Sequence, residues 1–227
     1  MQLTLIRKRE ETENVVSFFF TSAEPIRWQA GQFLHYTLPH QNPDSRGVER
    51  WFTIASAPHE EHIMLTTRFS AQSSTFKTTL RAMQIGDIIE ADSPEGDFVI
   101  TDATKDFVFI AGGIGITPYR SIILDLDRRN EPINILLLYA NRTHDIVFRN
   151  ELDAIARKTK TFRVRYSIEP ERIDENFIRG ASYDFRKPLY YVSGPEPMVQ
   201  AFERMLWNMQ IPKDKTIRDY FPGYSWP

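Results

Sequence analysis

Two rhythms of apolar and polar positions divide the chain. From residue 1 to about 102, short runs rich in β-branched and aromatic residues alternate with turn signals. The runs lie at 3–7, 15–21, 33–38, 50–55, 63–68 and 88–91. Pro25, Gly31, residues 40–47, Ala57-Pro58 and Gly86-Asp87 punctuate them. Strands this closely spaced, with turns between them, predict an antiparallel barrel or sandwich. One helix interrupts the series. Ser73 or Ser74 stands where a cap belongs, and Phe76, Leu80 and Met83 recur at helical spacing.

Beyond Thr101 strands alternate with helices. Residues 107–111, 133–140, 162–168 and 189–193 read as buried strands. Helices are predicted over 118–129, with Pro118 in the first turn, and over 145–158, 174–179 and 195–209. Such alternation implies a parallel sheet with helices on both faces. The expected fold class is therefore two-domain: an N-terminal antiparallel β-barrel over 1–102, followed by an α/β doubly wound parallel-sheet domain over 103–227. The linker is placed near 97–105. No internal repeat or low-complexity tract is visible.

Length and charge narrow the picture. At 227 residues the chain can form one large core or two modest ones. Lys and Arg number 28 against 30 Asp and Glu, so no basic excess exists to coat nucleic acid. The absence of cysteine excludes disulfides, thiolate zinc sites and an iron–sulfur cluster of the chain's own. No run approaches the ~18 apolar residues of a membrane helix, and the first residues lack the layout of a signal peptide. The expectation is a cytoplasmic protein with no transmembrane segment.

Three segments carry candidate chemistry. Ala111-Gly112-Gly113-Ile114-Gly115-Ile116-Thr117-Pro118 follows an apolar strand and opens a helix. Glycines at such a turn let backbone N–H groups approach a phosphate, and the helix dipole adds positive potential. Gly113-x-Gly115-x-x-Pro118 is a relative of the dinucleotide fingerprint, although glycine turns also arise for steric reasons alone. The second segment, Ser193-Gly194-Pro195-Glu196-Pro197-Met198, ends the last strong strand, where ligands of open α/β sheets collect. The apolar stripe that follows, from Met198 to Met209, reads as core packing. The third, Arg50-Trp51-Phe52-Thr53-Ile54-Ala55-Ser56, sets an arginine, aromatics and a hydroxyl along one strand. Taken alone, it is an ordinary strand with one surface charge. His59-Glu60-Glu61-His62 reads as a solvated loop between two strands rather than a metal site.

In order and spacing, these motifs resemble the ferredoxin–NADP reductase superfamily over nearly the whole chain. Arg50-Trp51-Phe52-Thr53 is similar to the family's Arg-x-Tyr-Ser/Thr flavin motif, and Ala30-Gly31-Gln32-Phe33 to its Pro-Gly-Gln-Phe turn. Thr67-Arg68 and Ser74-Thr75-Phe76-Lys77 match the segment that cradles flavin phosphates. Gly86-Asp87 and Pro94-x-Gly96-x-Phe98 match the strand pair that closes the barrel. Gly113-x-Gly115-x-x-Pro118 matches the pyrophosphate loop, and Ser193-Gly194-Pro195 with Met198 the nicotinamide motif Cys-Gly-Pro-x-x-Met. The tail Asp219-Tyr220-Phe221-Pro222-Gly223-Tyr224 resembles the closing Glu-x-Phe-x-Gly-Tyr strand.

The resemblance implies roles. Arg50 would pair with a flavin phosphate, Phe52 pack on the isoalloxazine beside Trp51, and Thr53 hydrogen-bond near N5. The segments Thr67-Arg68 and Ser74–76 (Ser74, Thr75, Phe76) would hold flavin phosphate. Gly113, Gly115, Thr117 and Pro118 would receive the dinucleotide pyrophosphate. Ser193, Gly194, Pro195 and Met198 would position the nicotinamide, with Asp219 nearby and Phe221 over the ring. The implied cofactors are FAD, with FMN open, and NADH or NADPH as co-substrate; no metal is required. The implied activity is an NAD(P)H-dependent flavoprotein reductase that passes electrons to a redox partner protein or a small acceptor. The alternative is a non-catalytic flavin-bearing electron-transfer subunit, which gains from Ser193 for cysteine and Asp219 for glutamate; Phe52 for tyrosine is a third departure. Asn141 and Arg142 end the second strand of the second half, where a carboxylate would mark NADH. Glu169 and Glu171 after the third strand favour NADH, and Arg142 and Arg172 favour NADPH; the balance tilts to NADH. Tyr224 and Trp226 offer surfaces for an adenine.

Overall fold

The structure, a computed structural model, describes residues 1–181 and 184–221. Its first sheet is antiparallel. It comprises β1 (Gln2–Thr12), β2 (Val15–Thr21), β3 (Phe33–Thr37), β4 (Glu49–Thr53), β5 (Ile63–Arg68) and β6 (Ile88–Ala91), in the order β4-β3-β6-β1-β2-β5. The two edges meet just past β4. There Ala55 N–H donates to Met64 O (2.8 Å), and Ser56 Oγ bridges His62 O and Met64 N. Helix α1 (Thr75–Ala82) is capped by Ser74, whose Oγ accepts from Lys77 N–H at 3.3 Å, and its buried Phe76 and Leu80 plug the barrel interior.

The second sheet is wholly parallel. β7 (Phe107–Gly112), β8 (Ile135–Asn141), β9 (Arg163–Ile168), β10 (Leu189–Pro195) and β11 (Thr216–Phe221) lie in the order β11-β10-β7-β8-β9. Helices α2 (Thr117–Arg128), α3 (Arg149–Lys158), α4 (Glu175–Ala181) and α5 (Glu196–Asn208) connect them. Apolar side chains of β7 and β8 alternate between faces. Phe109, Leu137 and Tyr139 join the core beneath α2 and α3, while Val108, Ile110 and Leu138 join the one beneath α4 and α5. The expected two-domain architecture of antiparallel barrel and parallel α/β sheet is the one observed. No helix among the described residues is long and apolar enough to cross a membrane.

Several boundaries moved, each for a physical reason. The helix expected from Asp145 begins at Arg149. Ile146, Val147 and Phe148 are all buried, Phe148 in the left-handed region at φ 60°, so three consecutive apolar residues enter the core as a turn rather than along a helical stripe. Pro195, expected in a helix, ends β10 opposite Phe221. Asp174 caps α4 instead of opening it, its Oδ1 accepting from Phe177 N–H at 2.7 Å. Phe98, in the expected linker, is buried between Tyr119 and Tyr191, with ring centroids at 5.6 and 5.0 Å.

The domains share a core. From Val15 to Phe20 every side chain of β2 is buried. Val16, Phe18 and Phe20 face the barrel interior, whereas Val15 and Phe19 join Met64 and Phe98 in the cluster that continues into α2. Tyr191 OH donates to Val99 O (2.8 Å) and Ser121 Oγ to Ser56 O (2.7 Å), tying the second half to segments that follow the barrel strands. The loop expected to be solvated at 59–62 is in part an interdomain joint. Glu60 receives the guanidinium of buried Arg120 and caps Ala57 N–H at 2.8 Å.

Candidate functional site

A cleft of about 720 Å³ opens where the carboxyl ends of the parallel strands face the barrel. Its barrel wall is β4, the end of β5 and the start of α1; its opposite wall is the turn after β7, the ends of β8, β9 and β10, one face of α5, and Phe221. Arg50, Trp51, Phe52, Thr53, Thr67, Arg68 and Ser74 line the first wall. Gly113, Thr117, Asn141, Arg142, Pro195 and Phe221 line the second. These residues, singled out from sequence, come from segments up to 171 positions apart (50 to 221) and share one space.

The barrel wall supplies cations and flat rings. Arg50 donates through Nη2 to Asp44 Oδ1 (3.0 Å) and through Nη1 to Arg46 O (2.7 Å), leaving its buried Nε without a partner among the described residues. Burial and neighbouring Arg46 pull its pKa down, while Asp44 pushes it back up. Buried donors without partners are rare, because each forfeits its hydration. Phe52 sits on Phe76 at 5.8 Å between centroids, and exposed Trp51 stacks on His35 at 4.5 Å. Arg68 extends across the cleft, its Nη2 3.6 Å from the place a Cβ on Gly113 would take.

The other wall is shaped by close backbone approach. Gly113 adopts φ 53°, within a short 3-10 turn (Gly113–Ile116) that leads into α2, and its carbonyl accepts from Tyr139 OH at 3.0 Å. A Cβ on Gly115 would stand 2.2 Å from Ser193 O, so this glycine lets the α2 turn touch the end of β10. Ser193 is fully buried and paired in register with Asp219, to whose Oδ2 its hydroxyl donates at 3.4 Å.

The remaining residues expected at a site stand behind the cleft rather than along it. Phe76 is in the barrel core, and Thr75 is engaged by Asp44 and His40. Pro118 is buried in α2. Met198 lies against Gly112 and Gly194, its thioether filling space that a Cβ on either would need. Ser193, Gly194 and Asp219 form the layer beneath Pro195 and Phe221. Pro222, Gly223, Tyr224 and Trp226 lie outside the described residues. Phe202 and Met205, read as core stripe, also line the cleft, as do Lys77, Glu171 and Arg172. Helical periodicity finds such a stripe but not which edge of it fronts a cavity.

Burial pushes the Asp219 carboxyl up to about 6, with the Ser193 hydrogen bond a smaller opposing effect. The fold thus holds a proton there more firmly than the unfolded chain, whose ordinary value is 3.8. Native protein binds more protons between the two values, so this residue's contribution to stability falls as pH rises through that window. Asp219→Asn is expected to abolish that slope and to gain on the wild type from about pH 4 to about pH 7. Denaturant midpoints across this range measure it, and parallel curves for the two proteins would rule it out.

Comparison with known proteins complements this geometry. Residues 109–204 match the family described as "Oxidoreductase NAD-binding domain". The whole chain superposes on the cytochrome b5 reductase domain of Ulva prolifera nitrate reductase with a TM-score of 0.83, covering 96% of both chains at 24% identity. The chain shares the two-domain fold of that reductase domain, and its second half matches the NAD-binding family. The ferredoxin NADP+ reductase of Neisseria gonorrhoeae, solved with FAD and NADP bound, superposes with a TM-score of 0.79 over 97% of this chain and 98% of that one, at 19% identity. Among curated relatives, the phenol 2-monooxygenase reductase component DmpP of Pseudomonas sp. (strain CF600) is 26% identical over 78% of this chain and 53% of its own length. The chain spans 53–58% of the first curated relatives it matches, several of them flavohemoproteins.

Proposed function

We propose that this chain is a flavin-dependent NAD(P)H oxidoreductase. It would bind FAD, or alternatively FMN, in the cleft, use NADH or NADPH as donor, and pass electrons to an external redox partner protein or small acceptor. The observation that carries this reading is the single cleft shared by the Arg50–Thr53 wall and the Gly113, Thr117 and Pro195 wall. The superfamily fold and the reductase component among the relatives support it. The division of roles falls near residue 102, between β6 and β7.

The residues present suit the cofactor. The unpartnered Arg50 Nε, with Ser74 and the start of α1, offers charge-assisted and dipolar donors to a phosphate. Phe52 and Trp51 offer ring faces, and Thr53 a hydroxyl at the inner end of the same strand. A bound flavin would supply the hydride acceptor that no side chain of this chain provides. The protein's part is alignment and exclusion of water. The Gly115 contact with Ser193 fixes the separation of the pyrophosphate turn from the end of β10. Asp219, raised to about 6, holds or releases a proton at its carboxylate near neutral pH, beside the Ser193 hydroxyl.

An anaerobic visible-absorption titration of flavin-loaded protein with NADH, then NADPH, tests the reading. Rapid bleaching by either supports it, and a yellow protein that neither reduces favours a flavin-bearing electron-transfer subunit instead. For donor choice, Arg142 is engaged by Glu169 at 4.0 Å at the mouth of the cleft. Freed from that carboxylate, Arg142 can meet a 2′-phosphate, so Glu169→Ala is expected to raise kcat/KM for NADPH relative to NADH by roughly tenfold, or about 1.4 kcal/mol. An unchanged ratio would show that Glu169 takes no part in the choice.

A further inference from the structure

The start of α1 and the Arg50 guanidinium, the two parts of the wall best suited to a phosphate, are already engaged by an anion belonging to the chain. Asp44 lies in the connection between β3 and β4. Its Oδ2 accepts from Thr75 N–H (3.2 Å), the first residue of α1, and its Oδ1 accepts from Arg50 Nη2 (3.0 Å) and Arg46 N–H (2.9 Å). Three donors, one a guanidinium and one at a helix N-terminus, thus surround two carboxylate oxygens. The loop is built to keep the carboxylate there. Thr75 Oγ1 accepts from Asp44 N–H at 3.0 Å and bonds His40 Nε2 at 2.9 Å, while Gly47 N–H donates to Asp44 O at 2.8 Å. These donors lower the Asp44 carboxyl, so it is an anion at neutral pH. Arg50 Nε is the buried donor left over among the described residues.

We propose that Asp44 is an internal anion that occupies the phosphate cradle of the flavin site, so that a phosphorylated flavin binds by displacing it from Thr75 and Arg50. The inference rests on the reading of the cleft as a flavin site. Two anions cannot share one N–H at the head of a helix, and a phosphate brought beside a fixed carboxylate is repelled. Displacement removes one of the links between the loop at 40–47 and α1 and leaves those made to Thr75 Oγ1 by His40 and by Asp44 N–H. Asp44 then sets how tightly the phosphate end is held, whereas the ring end, at Phe52 and Thr53, feels nothing of it. Affinity for FMN and FAD is reduced by the occupant, and affinity for riboflavin, which has no phosphate, is not.

Flavin fluorescence quenching gives dissociation constants for riboflavin, FMN and FAD with the intact wild-type chain, Asp44→Ala and Asp44→Asn, with circular dichroism confirming that each is folded. Asp44→Ala is expected to bind FMN and FAD at least about tenfold more tightly, or about 1.4 kcal/mol, with riboflavin unchanged. Asp44→Asn, which removes the charge and keeps an acceptor for Thr75 N–H, should fall between. Weaker FMN and FAD binding in Asp44→Ala would overturn the proposal by making Asp44 a residue that orients Arg50. Equal binding by all three proteins would overturn it too, leaving the flavin reading intact. Failure of every protein to bind any flavin would remove both.

Discussion

Arg120→Ala is expected to lower stability by about 3 kcal/mol, a midpoint shift of roughly 6–12 °C for a chain of this size. Arg120 is 3% exposed and uses all five of its N–H donors. Nε and Nη2 grip Glu151 at 2.7 and 2.8 Å, Nη1 and Nη2 grip Glu60 at 2.7 and 3.0 Å, and Nη1 reaches Ala55 O at 2.8 Å. Glu60 and Ala55 belong to the barrel, Glu151 and Arg120 to the parallel-sheet domain. Truncation strands two carboxylates and a carbonyl around an apolar gap, although the glutamates, 21% and 36% exposed, recover some hydration. Arg120→Lys is expected to restore little, because one ammonium cannot span two carboxylates and a carbonyl in a plane. Because the guanidinium is buried, the loss should persist in high salt, unlike that of a surface pair. Urea denaturation of the three proteins measures it, and a change within about 0.5 kcal/mol for Arg120→Ala would refute a structural clasp.

Gly115→Ala is expected to slow reduction by nicotinamide nucleotide by about 100-fold, the order of effect of a 1 Å misplacement of reacting groups. The new Cβ would lie 2.2 Å from Ser193 O, 2.6 Å from Ser193 C and 2.7 Å from Gly194 Cα. All three are backbone atoms of β10, so relief requires the turn that leads into α2 to part from β10. Gly112→Ala provides the contrast. Its Cβ would meet Met198 Sδ at 2.2 Å and Cε at 2.8 Å, the far end of a flexible side chain. Met198→Ala in the same protein should therefore restore Gly112→Ala and leave Gly115→Ala impaired. Anaerobic stopped-flow reduction of the flavin-loaded variants reads the difference. Flavin affinity should be unaltered in each, since the barrel wall is untouched. Equal reduction rates for wild type and Gly115→Ala would show that the separation of α2 from β10 does not govern alignment.

Some of this was written into local sequence. The switch from turn-punctuated strands to strand–helix alternation near residue 102 is a matter of composition and spacing, and the observed sheets follow it. Ser74 before Phe76 and Leu80 marks α1, because a cap and a stripe are both local. The boundaries that slipped did so where a distant surface overrode the local pattern. Ile146, Val147 and Phe148 left a helical register because a core reached them from the α2 side.

The site divides the same way. Its motifs could be named one by one because backbone approach and helix starts demand particular residues, notably glycine at 113 and 115. That Phe202 and Met205 front a cavity, that Glu60 joins two domains, or that Asp44 takes the donors of α1 left no comparable mark. Each depends on which surface the chain brings against it, and a charge with a remote partner looks in sequence like any solvated charge. The unbroken apolar run of β2 shows the limit best. Its composition alone predicted a strand. Only the tertiary structure showed the cause: the barrel interior covers one face of the strand and the second domain the other. Local chemistry determines which backbone shapes a segment can adopt; burial and charge pairing are properties of surfaces that meet only once the chain has folded.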